Sequence, residues 1–225
     1  MALPGFTDPN SRTNAFRRRR FRHVLHLIDA AIARTGACRI IDVGGAEGYW
    51  RAVGDLLDQR NVSIDLINLS TEPVTDPRLR SLAGDACDLS AVADMSYDLA
   101  HSNSVIEHVG GWARMRAFAH EIRRIAPAYF VQAPYLWFPL EPHFTAVGFQ
   151  WLPEPMRAQC LFRRKMGYSQ GPGDWDTAWA DVEHARLPDR TMFRVLFPDA
   201  EQRAERVFGL TKSLMAIRQA PASRA

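Results

Sequence analysis

The sequence has few cysteines and no long apolar run, and both shortages narrow what it encodes. Cys38, Cys87 and Cys160 are odd in number, far apart and without any C-x-x-C spacing. That argues against a disulfide framework or a zinc knuckle and fits a reducing compartment. No stretch of about 18 apolar residues is present to span a bilayer, and the opening "MALPGFTDPNSRTNAFRRRR" lacks the apolar centre of a signal peptide. A cytoplasmic protein is expected. Charge of one sign is not in great excess either. A formal net charge of +3 over 225 residues does not imply a nucleic-acid partner, so only local clusters bear on partners. Internal repeats and low-complexity segments are also missing. What is present is an ordinary globular composition, 47% hydrophobic and 24% charged, enough for one domain with a proper core.

Residues 1–14 are polar and carry two prolines and a glycine, which predicts a flexible N-terminal arm before a single domain over 15–225. Phe21, Val24, Leu25, Ile28, Ala31 and Ile32 recur at helical spacing, so Ala15 to Arg34 reads as an amphipathic helix with a basic exposed face, stopped at Gly36. Strand-like and helix-like segments then alternate. Strands are expected at Arg39–Val43, from Val62, in "LRSLAGD", from Tyr97 and in "AYFVQA". Helices are expected around Trp50–Leu57 and over Met115–Ile125, the latter ended by Pro127. Two final strands, "AERVFGL" and "KSLMAIR", close the chain, with a short helix near Thr191–Phe197 before them. This order predicts an α/β fold with a mostly parallel sheet and helices on both faces. Between about 134 and 190 the pattern breaks into a proline- and aromatic-rich excursion containing a basic helix, "MRAQCLFRRKMG".

The stretch "DVGGAEG", Asp42 to Gly48, follows the first strand directly. In a doubly wound sheet ligands bind beyond the carboxyl ends of the strands, and glycine lets backbone approach them closely. A dinucleotide fingerprint, G-x-G-x-x-G, fails in both registers, because Ala46 and Tyr49, or Glu47 and Trp50, stand where glycine is required. A P-loop fails because no G-K-[ST] follows. A carboxylate at the strand end, Asp42, suits instead a cofactor with a cationic amino group.

These residues resemble a family. "DVGGAEG" is similar to the D-x-G-x-G-x-G motif of class I S-adenosylmethionine-dependent methyltransferases, and "GDACDLS" and "YDLAHSNSVIEHV" fall in order where that family has later motifs. The resemblance runs from about Arg39 to Ala133 and takes in the closing pair of strands. It implies a Rossmann-like, seven-stranded sheet with the last strand antiparallel, and S-adenosylmethionine as cofactor. Carried onto this chain, Asp42, Gly44, Gly45, Ala46, Glu47 and Gly48 would line the methionine end, and Asn68 and Leu69 would lie at the ribose. Asp85 would accept from the adenine amine, with Ala86 and Cys87 beside the ring. Ser102, Asn103 and Ser104 would border the sulfonium and the substrate mouth. Two departures stand out. Ala46 replaces the middle glycine, so it must avoid strongly positive φ or the turn must differ. Asn68 replaces the acid that usually holds the ribose, with Glu72 as a second candidate.

Methyl transfer to a hydroxyl needs a base. His108 in "IEHVGG" and His143 in "EPHF" are the candidates, and Glu141, two residues before His143, would point the same way in an extended run. No metal ligand set is assigned. The lack of N-P-P-Y or D-P-P-Y after the fourth strand argues against amide or adenine-amine acceptors. The expected function is methylation of a small molecule or a cell-surface glycan or lipid precursor, at oxygen, with no nucleic-acid partner. The excursion's aromatics would either wall the acceptor or form a satellite core. The clusters "RRRRFR" and "FRRK" leave two other readings, a peripheral contact with an anionic membrane and an RNA-binding methyltransferase. A cofactor-binding module without catalysis is a third.

Overall fold

The structure is a computed structural model that describes residues 12–169, 171 and 173–221. Of the expected arm, residues 1–11 lie outside the described residues, whereas residues 12–14 already belong to the first helix, α1 (Arg12–Thr35). The helix ends where Gly36 takes a left-handed φ of +80°, a conformation that glycine adopts without a Cβ penalty.

The sheet strands are β1 (Cys38–Val43), β2 (Val62–Asn68), β3 (Leu79–Ala83), β4 (Leu99–Asn103), β5 (Ala128–Pro134), β8 (Glu201–Val207) and β9 (Leu210–Arg218). A separate two-residue pair, β6 (Leu140–Glu141) and β7 (Ala146–Val147), sits in the excursion. The seven-stranded sheet runs β3-β2-β1-β4-β5-β9-β8. Its first five strands are parallel, with Ile40 opposite both Ile64 and Leu99. The strand β9 is antiparallel to β5 and to β8. The chain therefore enters mid-sheet at β1, builds outward to β3 and returns at β4. That reversal between β1 and β4 opens a crevice at their carboxyl ends.

Both faces are covered, which is why the central strands are near-continuous apolar runs. Along β5 the side chains alternate. Tyr129, Val131 and Ala133 pack with Phe118 and Ile122 of α3 (Trp112–Ile125) and with Phe193 of α6 (Arg190–Leu196). Phe130 packs on the other face with Phe21 and Ile28 of α1 and with Trp50. The helix after the glycine turn is shorter than the apolar spacing suggests. The element α2 covers only Glu47–Arg51, and a single 3-10 turn, Gly54–Leu56, follows. Tertiary packing of Trp50, Val53 and Leu57 needs no continuous helix, and Val53 leaves helical geometry at φ −124°.

The excursion folds. Besides α4 (Glu154–Arg163) it contains α5 (Trp175–Glu183), a helix unforeseen in the sequence and capped by Asp174, whose carboxylate accepts from the Thr177 N–H. Phe144, Phe149, Ala158, Leu161, Ala178 and Val182 form a third buried cluster. Among the described residues, no helix is long and apolar enough to cross a membrane.

Candidate active site

A cavity of about 670 Å³ lies at the crevice between the carboxyl ends of β1, β4 and β5 and the excursion. Its floor is the glycine turn. Gly44 has φ +76°, and a Cβ there would overlap the Val105 side chain. A Cβ on Gly45 would overlap the Asp42 carboxylate. The turn is tied down by Gly44 N–H donating to the Ile67 carbonyl (2.7 Å) and by Asn68 Nδ2 donating to the Gly45 carbonyl (2.8 Å). Ala46 sits at φ −132°, ψ 144°, extended backbone that alanine adopts without strain.

Asp42 is almost fully buried, and both its oxygens are engaged. Trp50 Nε1 donates to Oδ2 at 2.7 Å, and His101 Nδ1 lies 2.7 Å from Oδ1. The far nitrogen of His101 meets the Tyr49 hydroxyl at 3.2 Å, and the ring stacks on Phe130. His101 gave no signal beyond being a polar residue in a buried strand. Burial pushes the Tyr49 phenol above its ordinary range, so it stays a neutral hydrogen-bonding group.

Asp42, Gly44, Gly45, Ala46, Asn103, Ser104, His108 and His143 line the cavity. Other expected site residues do not. Ser102 is wholly buried, its hydroxyl donating to the Val43 carbonyl at 2.8 Å to stitch β4 to β1, so it does not reach the substrate mouth. Asn103, which does line the cavity, is the last residue of β4. Ser104 comes next, at φ +57°, its hydroxyl on Gln132 Oε1 at 3.0 Å. Glu47 turns away and accepts from the Thr75 hydroxyl (2.5 Å) and from the backbone N–H groups of Thr75 and Asp76, which holds its carboxyl below the usual range. Gly48 lies within α2.

Towards β3, Leu69 is exposed, and Asp85 is gripped by a fork from Arg114 at 2.8 and 3.0 Å, which keeps its carboxyl below the usual range. Cys87 donates its N–H to Asp85 Oδ1 (2.9 Å), and its Sγ lies 3.2 Å from the Arg114 carbonyl, with Ala86 part-buried between the two. Glu72 is exposed, and its N–H donates to the Ser81 hydroxyl.

The basic cluster near the N-terminus divides by helical phase. Arg17 and Arg20, three apart, face the cavity, whereas Arg18 forks onto Asp55 at 2.7 and 2.8 Å. The "FRRK" cluster lies on the exposed surface. Arg17 and Arg20 were missed as site residues because a run of four arginines does not say which face it serves. Their shared spacing with the buried Phe21 and Val24 was the available clue.

The two candidate bases come together. His108, in the turn Ile106–His108, and His143, 35 residues later, meet with their Nε2 atoms 3.2 Å apart. His108 Nδ1 lies 2.9 Å from the His184 carbonyl. His143 Nδ1 lies 2.7 Å from Glu141 Oε1, but not through strand alternation: Glu141 ends β6 and His143 lies in the turn that follows, so the turn brings the two side chains together. Glu141 Oε2 accepts from the Phe144 N–H at 2.6 Å. Glu107, beside them, has no solvent exposure, and neither oxygen has a hydrogen-bond partner among the described residues. Burial pushes its carboxyl up to about 7 and the His108 imidazole down to about 4. Tyr135, Phe138 and Phe144 add apolar wall, Phe144 also packing with Phe149 in the satellite core, whereas Trp137 and Trp151 are exposed.

Strand order, the helices on both faces and the position of this crevice define the fold of class I S-adenosylmethionine-dependent methyltransferases. No protein-family profile and no curated protein sequence matches the chain, so the likeness is one of structure. The PH0226 protein from Pyrococcus horikoshii OT3 is similar with a TM-score of 0.53 and 16% identity, over 97% of this chain and 96% of that one. The CurJ carbon methyltransferase has a TM-score of 0.51 and 10% identity over 83% of this chain, which spans 49% of CurJ. PigF, solved with SAH, has a TM-score of 0.50 and 13% identity over 84% of this chain and 60% of PigF.

Proposed function

We propose that the protein transfers a methyl group from S-adenosylmethionine to an oxygen of a small molecule or of a cell-surface glycan or lipid precursor. The observation that carries this reading is that the glycine turn after β1 and the His108–His143 pair line one cavity. The residues fit the methionine end of such a cofactor. Arg17 and Arg20 bring cationic groups for its carboxylate, and Asp42, Gly44, Gly45, Ala46 and Asn103 form the wall for its amino group and sulfonium. Farther along, Asn68 retains a side-chain oxygen for the ribose, and Asp85 would share its oxygens between Arg114 and the adenine amine, with Leu69, Ala86 and Cys87 flanking the ring.

Bound S-adenosylmethionine supplies an electrophilic methyl carbon. The task of the chain is to align the acceptor and exclude water. Tyr135 and Phe138 offer it apolar walls, and His143, steadied by Glu141, meets the hydroxyl together with His108. The RNA reading has less support. Arg17 and Arg20 face inward and Arg18 is paired, so the cluster is not one outward-facing stripe.

Calorimetry on the whole chain with S-adenosylmethionine and S-adenosylhomocysteine, against NAD and ATP, tests the cofactor. Binding of NAD alone would overturn the reading. Cofactor binding with no label passed to any acceptor in a cell extract would leave a non-catalytic module instead.

A further inference from the structure

We infer that Glu107, His108 and His143 form a binding site for one divalent transition-metal ion, with open coordination positions facing the cavity. The first argument is spacing. The two Nε2 atoms are 3.2 Å apart, Glu107 Oε1 lies 4.0 Å from His108 Nε2, and one donor atom from each residue falls within 4.8 Å of the others. Two ligands on one ion at about 2.1 Å are separated by about 3 to 4.2 Å. The histidines already meet that condition, and Glu107 has to close by less than about 1 Å.

The second argument is where the protons must be. A carbonyl oxygen only accepts, so the bond from His108 to the His184 carbonyl fixes the proton on Nδ1. The Glu141 carboxylate imposes the same tautomer on His143. In that tautomer each ring directs its Nε2 at the other, and two such nitrogens lie 3.2 Å apart favourably only with a proton or a cation between them. The same two outer bonds, one to a carboxylate and one to a backbone carbonyl, are the partners that orient metal-binding histidines.

The third argument is Glu107. A buried carboxylate with neither oxygen hydrogen-bonded among the described residues is costly unless it is neutralised or given a counter-ion. A divalent ion in the position the histidines define would supply one. Two imidazoles and one carboxylate favour manganese, iron, cobalt or zinc over magnesium, which demands oxygen ligands. With the ion bound both Nε2 atoms are ligands, so the histidines would act on an acceptor hydroxyl through the ion, which makes a coordinated hydroxyl more acidic. Its proton would leave to solvent at the cavity mouth instead of passing to either ring. That last role rests on the methyl-transfer reading, whereas the ion site itself does not.

The test uses untagged full-length protein stripped with a chelator. Cobalt is titrated in by its visible absorption, and zinc, manganese and magnesium are compared by equilibrium dialysis. The expected result is one cobalt or zinc per chain, with magnesium at least tenfold weaker. His143→Ala and the double variant His108→Ala/His143→Ala should lose at least about a hundredfold in affinity. Glu141→Gln, which only orients His143, should lose about 10- to 100-fold. Glu107→Gln is informative if folded by circular dichroism, and the histidine variants decide the matter if it is not. Substoichiometric binding, or equal affinity in wild type and the double variant, overturns the site. S-adenosylhomocysteine binding by the metal-free protein is measured in parallel, so a failed metal site is distinguishable from a failed methyltransferase reading.

Discussion

Replacing Gly45 by alanine should destabilise the protein through a carboxylate rather than through backbone strain. Gly45 is not in the left-handed region, so alanine meets no conformational penalty there, unlike at Gly44. Its Cβ would instead overlap Asp42, and the turn has little freedom to retreat because the Gly45 carbonyl is held by Asn68 and the Gly44 N–H by Ile67. The Asp42 side chain must give, and Oδ2, the atom bonded to Trp50, is the one most directly struck. A hydrogen bond to a charged group contributes about 1.5–3 kcal/mol, and the loss of unfolded-chain freedom from Gly to Ala offsets only about 0.4–1 kcal/mol. If the His101 bond is disturbed as well, the loss reaches about 2–5 kcal/mol. For a chain of this size a loss of 2 kcal/mol lowers Tm by about 4–8 °C. The assay is thermal unfolding of wild type, Gly45→Ala, Trp50→Phe and the double variant. The two substitutions should be markedly non-additive, because each removes the same bond. An unchanged Tm in Gly45→Ala, or strict additivity with Trp50→Phe, would refute the reasoning.

Arg17→Met should weaken S-adenosylhomocysteine binding about tenfold while leaving 5′-methylthioadenosine, which has no carboxylate, unaffected, as calorimetry with both ligands would show. His143→Ala should leave S-adenosylhomocysteine affinity nearly intact and slow methyl transfer at least about a hundredfold, read as single-turnover rates on the identified acceptor. Asp65 offers a pH test. Burial raises its carboxyl, but the Arg80 fork at 2.7 and 2.9 Å and the Tyr97 hydroxyl at 2.6 Å outweigh burial and leave it below the ordinary value. The unfolded chain therefore binds this proton more readily. The contribution is complete above the unfolded value of about 3.9 and disappears as pH falls through the lower folded one. Denaturant titrations should show the gap between wild type and Asp65→Asn constant near neutrality and narrowing below about pH 4. A gap that widens in acid would contradict the sign.

Much of the sheet was readable because β1, β2, β4 and β5 are buried on both faces, which makes their apolar runs plain in the sequence. The glycine turn was readable for a related reason, since close packing against Val105 and Asp42 forbids side chains at Gly44 and Gly45. The helix α5 was hidden because its buried face is only Ala178 and Val182, set among tryptophans and acids. The full candidate site was hidden for another reason. His108 and His143 could each be proposed as a base, but their meeting depends on how the excursion folds back. Glu107 adjoins His108 in the chain, and only the packed structure buries it with neither oxygen hydrogen-bonded among the described residues.

The two histidines also belong to halves of unequal strength. His108 follows β4 and is fixed by the large core, whereas the chain at His143 leads into the satellite cluster through Phe144. The His143 carbonyl accepts the Tyr168 N–H at 2.8 Å, and the chain passes so close there that any side chain at Gly167 would strike it. A small cluster of this kind opens locally at a lower free energy than the central sheet. On warming, the catalytic rate should therefore fall before the sheet melts, while cofactor affinity persists. Thermal inactivation and global unfolding would be two separate events, and shrinking a satellite residue, for example Leu161→Ala, would move the first more than the second.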